Sequence, residues 1–294
     1  MTTSSPAEHN LPEVKRSGRS ALRQLMRNPM GAVGGGLLLV LVTVAIFAPL
    51  IAPYAPETVH FDTPFQRPFT EGFPLGTDDL GRDVLSRIVF GIRVSLLVGA
   101  MSVLFAIVVG TPLGLVAGYI RWVDVIVSRL TDVTLAFPFL IIAVGLAAIN
   151  GPSVTNAAVA LGIAQTPNVI RVIRAETLRL KSLDFVLAAR SLDAGTLRIL
   201  THHILPNTLS ALIVQATVIM PVAVIGEALL SFLGLGIQPP TPSLGIMLSD
   251  AQQYIFRAPS AAVIPGLAIA AICLAFNLFG DALRDALDPT SRKR

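Results

Sequence analysis

Between Val133 and Ile170 the chain carries no charged side chain. About 20 apolar residues cross a bilayer, so this run suffices for two crossings, divided at the turn-forming Asn150, Gly151 and Pro152. Similar runs flank it. Pro29 to Pro56 is uncharged, with a span expected over Ala32 to Leu50; a second span fits Leu96 to Tyr119; a fifth fits Leu209 to Phe232 and a sixth Ala262 to Phe279. With 53% apolar and 14% charged residues and a mean hydropathy of +0.72, a water-soluble domain is excluded. The expected fold class is an all-α polytopic membrane protein with six transmembrane helices.

The charges fall between these runs, and their signs assign the sides. Residues 1–28 hold Lys15, Arg16, Arg19, Arg23 and Arg27 and read as a cytoplasmic basic tail before a first transmembrane helix at 29–52. The run after Arg27 is too late and too long for a cleaved leader. Residues 53–92 carry six acidic side chains against Arg67, Arg82 and Arg87, which suits an extracytoplasmic loop. Within it, Thr77 is expected to cap a short helix whose first turn holds Asp78 and Asp79, and Leu80, Val84, Leu85 and Ile88 give that helix an apolar face. Residues 93–284 then form a five-helix core, and 285–294 a cytoplasmic tail ending in Arg292, Lys293 and Arg294. Six crossings put both termini in the cytoplasm, and every charge-based side assignment agrees. The net charge of +4 follows from this topology and needs no nucleic-acid partner.

Residues 171–207 are the one long charged interruption of the second half, and their basic excess places them in the cytoplasm. Asp184 is expected to cap a helix starting at Phe185, Gly195 and Thr196 to end it and begin another, and Pro206 to mark the approach to the next span. A polar helical platform held at a membrane surface needs a partner outside the lipid.

Motifs for chemistry are missing. No phosphate-binding GxxxxGK[ST], no HExxH and no GxSxG occurs, and Asp78, Asp79 and Asp83 lack calcium-loop spacing. His202 and His203 are adjacent and diverge on a helix, and the lone Cys273 sits in an apolar run. No catalytic, cofactor-binding or metal residue is expected in the chain. Two acids next to or within spans remain as pathway or assembly candidates. Asp132 lies one turn from Arg129, its expected ion-pair partner, with gating or assembly as the other reading. Glu227 is isolated between Arg198 and Asp250 in charge order; helix packing, lining of a translocation path and a proton-coupled role are all open to it.

The stretch FVLAARSLDAGTLRILTHHILPNTL resembles the cytoplasmic loop of permease subunits in bacterial ATP-binding cassette (ABC) importers, where Glu-Ala-Ala precedes a Gly and then Ile-x-Pro. Ala188, Ala189, Ile204, Leu205 and Pro206 match, and Arg190 and Leu192 are as in the peptide branch; Leu187 stands at the Glu position and Asp193 at the Gly position. Gly195 is expected to take over the bend that Gly would make. PLGTDDLGRDVLSRIVFGIRVSL, RNPMGAVG and PSLGIML are similar to stretches in the dipeptide, oligopeptide and nickel permeases of the second-permease type. The resemblance implies an inner-membrane subunit that pairs with a homologous permease, rests on two cytoplasmic ATPase subunits that bind ATP and Mg, and receives cargo from an extracytoplasmic solute-binding protein. It further implies that Ala188, Ala189, Arg190, Asp193, Gly195, Ile204 and Pro206 belong to the ATPase-coupling surface. Peptide is the implied cargo, with nickel or another small solute as the alternative, and a non-transporting membrane scaffold as the reading from a different class.

Overall fold

The computed structural model describes Leu25 and residues 28–287; the basic tail before residue 28, apart from Leu25, and the end of the C-terminal tail lie outside them. Helix α1 (Pro29–Ile46) starts with Pro29 at its first position and Asn28 as cap, the Asn28 carboxamide accepting from Met30 N. A short α2 (Ala48–Ile51) continues it. Residues 52–83 form an irregular cap, and α3 (Val84–Tyr119) then runs unbroken for 36 residues. After Ile120 come α4 (Arg121–Ala136) and α5 (Phe139–Asn150), then α6 (Val154–Leu180) and the short α7 (Asp184–Ser191). Helix α8 (Thr196–Arg198), a π-helical turn (Ile199–Ile204) and α9 (Leu205–Phe232) form one continuous rod. Helices α10 (Leu244–Ala251) and α11 (Ser260–Leu287) complete the described fold.

Among the described residues, four helical segments are long and apolar enough to cross a membrane: Pro29–Ile46, Val84–Tyr119, Thr196–Phe232 and Ser260–Leu287. The pair α4–α5 reaches that standard only jointly, bent by 83°. The expected count of six is therefore four helices and one broken pair. Helix α6 falls short because Asn156, Gln165, Thr166 and Asn168 lower the hydropathy of its uncharged part, and its last third carries Arg171, Arg174, Glu176 and Arg179. Its uncharged part, 154–170, is about 25 Å long at 1.5 Å per residue, slightly less than the ~30 Å hydrocarbon layer.

Two other boundaries move. No separate short helix precedes the second span, because α3 starts at Val84 and no breaker separates it from Leu96. The expected single turn at 150–152 is joined by a second break at Phe137–Pro138, where the proline cannot continue the hydrogen-bond ladder of α4.

The α3–α6 contact organises the bundle. Small residues recur every fourth position on α3, at Ser102, Ala106, Gly110, Gly114 and Gly118. A Cβ added at Gly110, Gly114 or Gly118 would lie 2.8, 2.8 and 2.5 Å from the Cβ of Val169, Ile173 and Thr177 respectively. The backbones thus meet along a small-residue seam of the kind that membrane helices use for close approach. Both number series rise together, so α3 and α6 run parallel. Two parallel helices require the intervening α4–α5 pair to return the chain to its starting side. The buried core then continues from Val169 and Ile173 through Leu180 to Val186, Ile199, Leu200 and Ile204, which carries packing from the spans into the platform.

Candidate functional site

Helix α6 does not end where its charges begin. Ile173, Thr177 and Leu180 keep packing against α3 while Arg171, Arg174 and Arg179 occupy its other faces, so the platform proper starts at Lys181 rather than Arg171. Lys181 Nζ donates to the Gly118 carbonyl at 2.7 Å, satisfying a carbonyl at the C-terminal end of α3. Arg174 grips Asp124 bidentately, with Nη2–Oδ2 at 2.7 Å, and ties α6 to the first turn of α4.

In α7, Val186 and Ala189 turn inward and are buried, while Phe185, Leu187, Ala188 and Arg190 are exposed. Asp184 is the first helical residue; the cap is Leu183, which makes no side-chain capping bond. The expected Asp184 cap is thus replaced by a carboxylate in the first turn, where it still favours the helix dipole. The end of α7 is a Schellman motif: Asp193 N donates to Arg190 O at 3.0 Å and Ala194 N to Ala189 O at 3.1 Å. Asp193 occupies the left-handed position of that motif with φ +57°, whereas Gly195 has φ −60° and caps α8. Gly195 therefore does not take over the bend. The reason is register, because the two closing bonds fix the left-handed residue two places after Ser191, whatever its type.

Past the motif, Leu192 and Leu197 are 84% and 75% exposed, and Gly195, Leu197, Arg198, Thr201 and His202 line an open cleft of about 580 Å³. Ile199, Leu200 and Ile204 are buried in the π-helical turn, and Pro206 is exposed at the start of α9. The Arg190 guanidinium lies over the Tyr119 ring at 5.7 Å. No group of three or more His, Cys, Asp or Glu side chains suited to a metal occurs among the described residues.

The other two candidates stand apart from the platform and from each other. Asp132 pairs with Arg171 at 3.3 Å rather than with Arg129, because α6 passes beside α4 at that level. Both side chains are exposed, so the pair contributes little stability. Glu227 is 0% exposed, and Ser95, Ser231 and Ser243 donate to its carboxylate at 2.6, 2.8 and 2.7 Å. The three hydroxyls come from α3, α9 and the residue before α10, so this carboxylate joins three segments.

At the opposite end of α3, Asp83 is the helix cap, accepting from Ser86 N at 2.8 Å. Thr77 instead accepts from Gln66 N and donates to Thr63 O within the loop, so the expected Thr77 cap is displaced to Asp83. Asp78 pairs with Arg82 and Arg87, each at 2.6 Å, and both arginines also reach Asp250 at 3.6 Å. Burial pushes the Asp250 carboxyl above the usual range, with Arg87 and Arg82 opposing it.

A multi-helix bundle with a parallel small-residue seam and a short-helix platform at one end defines the class as an all-α polytopic membrane protein. The chain belongs to the family of binding-protein-dependent transport system inner membrane components, whose model matches residues 110–293; the N-terminal transmembrane domain of oligopeptide transport permease C matches residues 18–68. It is 43% identical over 272 residues to the dipeptide transport system permease protein DppC of Alkalihalophilus pseudofirmus, covering 92% of this chain and 89% of the relative. It is 43% identical over 295 residues to the di/tripeptide transport system permease protein DppC of Pseudomonas aeruginosa, covering 96% and 97%. The glutathione transport system permease protein GsiD of Escherichia coli is 42% identical over 279 residues, covering 94% and 92%. The inward-facing MetNI methionine ABC transporter shares the fold at TM-score 0.58 and 20% identity, over 69% of this chain and 98% of the other. The protein is thus the membrane-spanning, non-catalytic permease subunit of an ABC importer.

The sequence had singled out α7 and its C-terminal turn, but not Tyr119, Lys181, Asp124 with Arg174, or the three serines around Glu227. Ser95 at the edge of an apolar run and Ser231 near the end of another were the available signals, since a hydroxyl buried at a span needs a polar partner.

Proposed function

We propose that the chain carries dipeptides or short oligopeptides across the bacterial inner membrane. It does so as one half of a permease pair seated on two ATPase subunits, which bind the ATP and Mg, and fed by an extracytoplasmic binding protein. The peptide cargo is supported by relatives above 40% identity that are named for dipeptide, di/tripeptide and glutathione transport. The observation that carries the coupling role is the pair Leu192 and Leu197, two large apolar side chains held out at the platform beside Arg190. An exposed apolar pair, one residue at the end of α7 and one in α8 across the closing turn, fits a groove in a protein partner better than it fits water.

In this reading residues 185–198 sit in the ATPase groove. Movement of the groove reaches Val186, passes to Ile199, Leu200 and Ile204, and tilts α6 and α9 together, because Val186 and these three share one buried cluster with Val169, Ile173 and Leu180 of α6 and Leu212 and Ile219 of α9. The topology has six crossings, with α4–α5 as the broken third and α6 as the fourth, and both termini are cytoplasmic. The parallel course of α3 and α6 supports it. Residues 53–92, the irregular cap together with the first turns of α3, are then extracytoplasmic. Glu227 fixes α10 to α3 and α9 and keeps the outer end rigid, while Asp132 serves assembly at the inner edge.

The test is uptake of a labelled dipeptide into proteoliposomes holding the complete complex. Uptake that requires both ATP and the binding protein is expected; ATP hydrolysis without peptide accumulation overturns the reading.

A further inference from the structure

The break between α4 and α5 lies one to two helical turns from the Asp132–Arg171 ion pair, inside the uncharged stretch of the chain. Phe137 and Pro138 adopt extended backbone there, with ψ of 127° and 133°, and both are exposed. The last carbonyls of α4 lack helical donors, and Pro138 has no N–H to offer them. Non-helical backbone at membrane depth is tolerated only where protein buries it or where it lines a watery cavity. Among the described residues nothing buries it.

A cleft of about 230 Å³ opens at this break, between α4–α5, α6 and α9. Phe137, Phe139 and Val222 give it apolar walls; Thr134, Gln165 and Asn168 are its polar members, and no charged residue lines it. Asn168 Nδ2 donates to Gln165 Oε1 at 2.8 Å. That bond leaves the Gln165 NH₂ group, the Asn168 carbonyl oxygen and one Asn168 N–H without a partner among the described residues. A carboxamide pair thus presents donors and an acceptor to the cleft, the same groups that a peptide backbone carries.

We propose that Gln165 and Asn168 form a contact point for the backbone amides of cargo peptide as it passes the α4–α5 break, an inference that rests on the peptide-importer reading. The chemistry suits a cargo whose side chains vary. Uncharged amides neither attract nor repel a charged side chain, while every peptide offers at least one amide C=O and, unless proline follows, its N–H. A metal cargo is a poor fit, since the cleft holds no imidazole, carboxylate or thiolate.

The test uses the complete complex in proteoliposomes with Gln165→Leu, Asn168→Leu and the double variant. Labelled dialanine and its ester-linked analogue, which lacks the amide N–H, are each supplied on saturated binding protein. The wild-type complex is expected to import dialanine faster than the ester. The double variant is expected to lose about 3- to 10-fold in dialanine uptake, as the loss of one neutral hydrogen bond allows, and to treat the two cargoes alike. Asn168→Ser, which keeps a donor and an acceptor, should restore part of the difference, and ATPase activity and co-purification of the second permease should be retained. Unchanged uptake and discrimination in the double variant overturn the inference, as does loss of the second permease from the purified complex, which would make the pair an assembly contact. Failure of the wild-type complex to import either cargo overturns the peptide reading itself.

Discussion

The Arg190 guanidinium stands 5.7 Å over the ring of Tyr119, so a platform side chain touches the last residue of the 36-residue membrane helix α3. With Lys181 on the Gly118 carbonyl, the platform is fastened to α3 at two adjacent residues. Arg190→Ala removes the cation–π contact, about 0.5–1 kcal/mol at an exposed site, and is expected to lower ATP-driven uptake two- to fivefold in proteoliposomes. Arg190→Glu should lower it further, and Arg190→Lys less, since an ammonium keeps the charge but loses the planar stack.

Asp193 sits at φ +57°, where a Cβ strains the backbone by roughly 1–2 kcal/mol. Asp193→Gly is therefore expected to raise the thermal midpoint of the purified permease, and Asp193→Val to lower it. Equal midpoints for the two variants would contradict the assigned geometry.

The α3–α6 seam leaves no room at Gly114, where an added Cβ meets Ile173 Cβ at 2.8 Å and Ile170 O at 3.0 Å. Gly114→Leu should destabilise the bundle by about 1–3 kcal/mol or more, seen as loss of monodisperse protein on size-exclusion chromatography. Gly145→Leu on α5 is the control, because nothing lies within 4 Å of its added Cβ.

Glu227→Ala strands three buried hydroxyls, each at about 1–3 kcal/mol, and is expected to lower thermal stability strongly. Glu227→Gln keeps an acceptor for Ser231 and Ser243 and offers an N–H to Ser95, whose hydroxyl can turn to accept. It should retain most stability and uptake. A Gln variant as unstable as the Ala variant would show that the negative charge, rather than the hydrogen-bond set, holds α10 in place.

Sequence reading recovered what depends on composition and on short-range chemistry. The apolar runs marked α1, α3, α9 and α11, and the charge signs isolated the platform around Ala188 and Ala189. Boundaries failed where tertiary packing overrode local pattern. The charges of α6 suggested an end at Arg171, but the seam with Gly114 and Gly118 carries the helix to Leu180. Partners failed wherever sequence distance was large. Arg129 was the nearest cation to Asp132 along the chain, yet the pair forms with Arg171, 39 residues away. Asp193 illustrates a third limit: its left-handed backbone is imposed by the bonds that close α7, and the nearby Gly195 offered a plausible but unused alternative.

The coupling role rests on Leu192 and Leu197 being held outward for a protein partner. Both are already in solvent in the isolated chain, so the double variant Leu192→Asp, Leu197→Asp should fold and pair with the second permease normally. The direct measurement is the amount of ATPase subunit that co-purifies with this permease pair. A loss of at least about tenfold relative to wild type, equal to some 1.4 kcal/mol, with the second permease retained, is the expected result; wild-type recovery of the ATPase subunits with both aspartates in place contradicts the platform assignment.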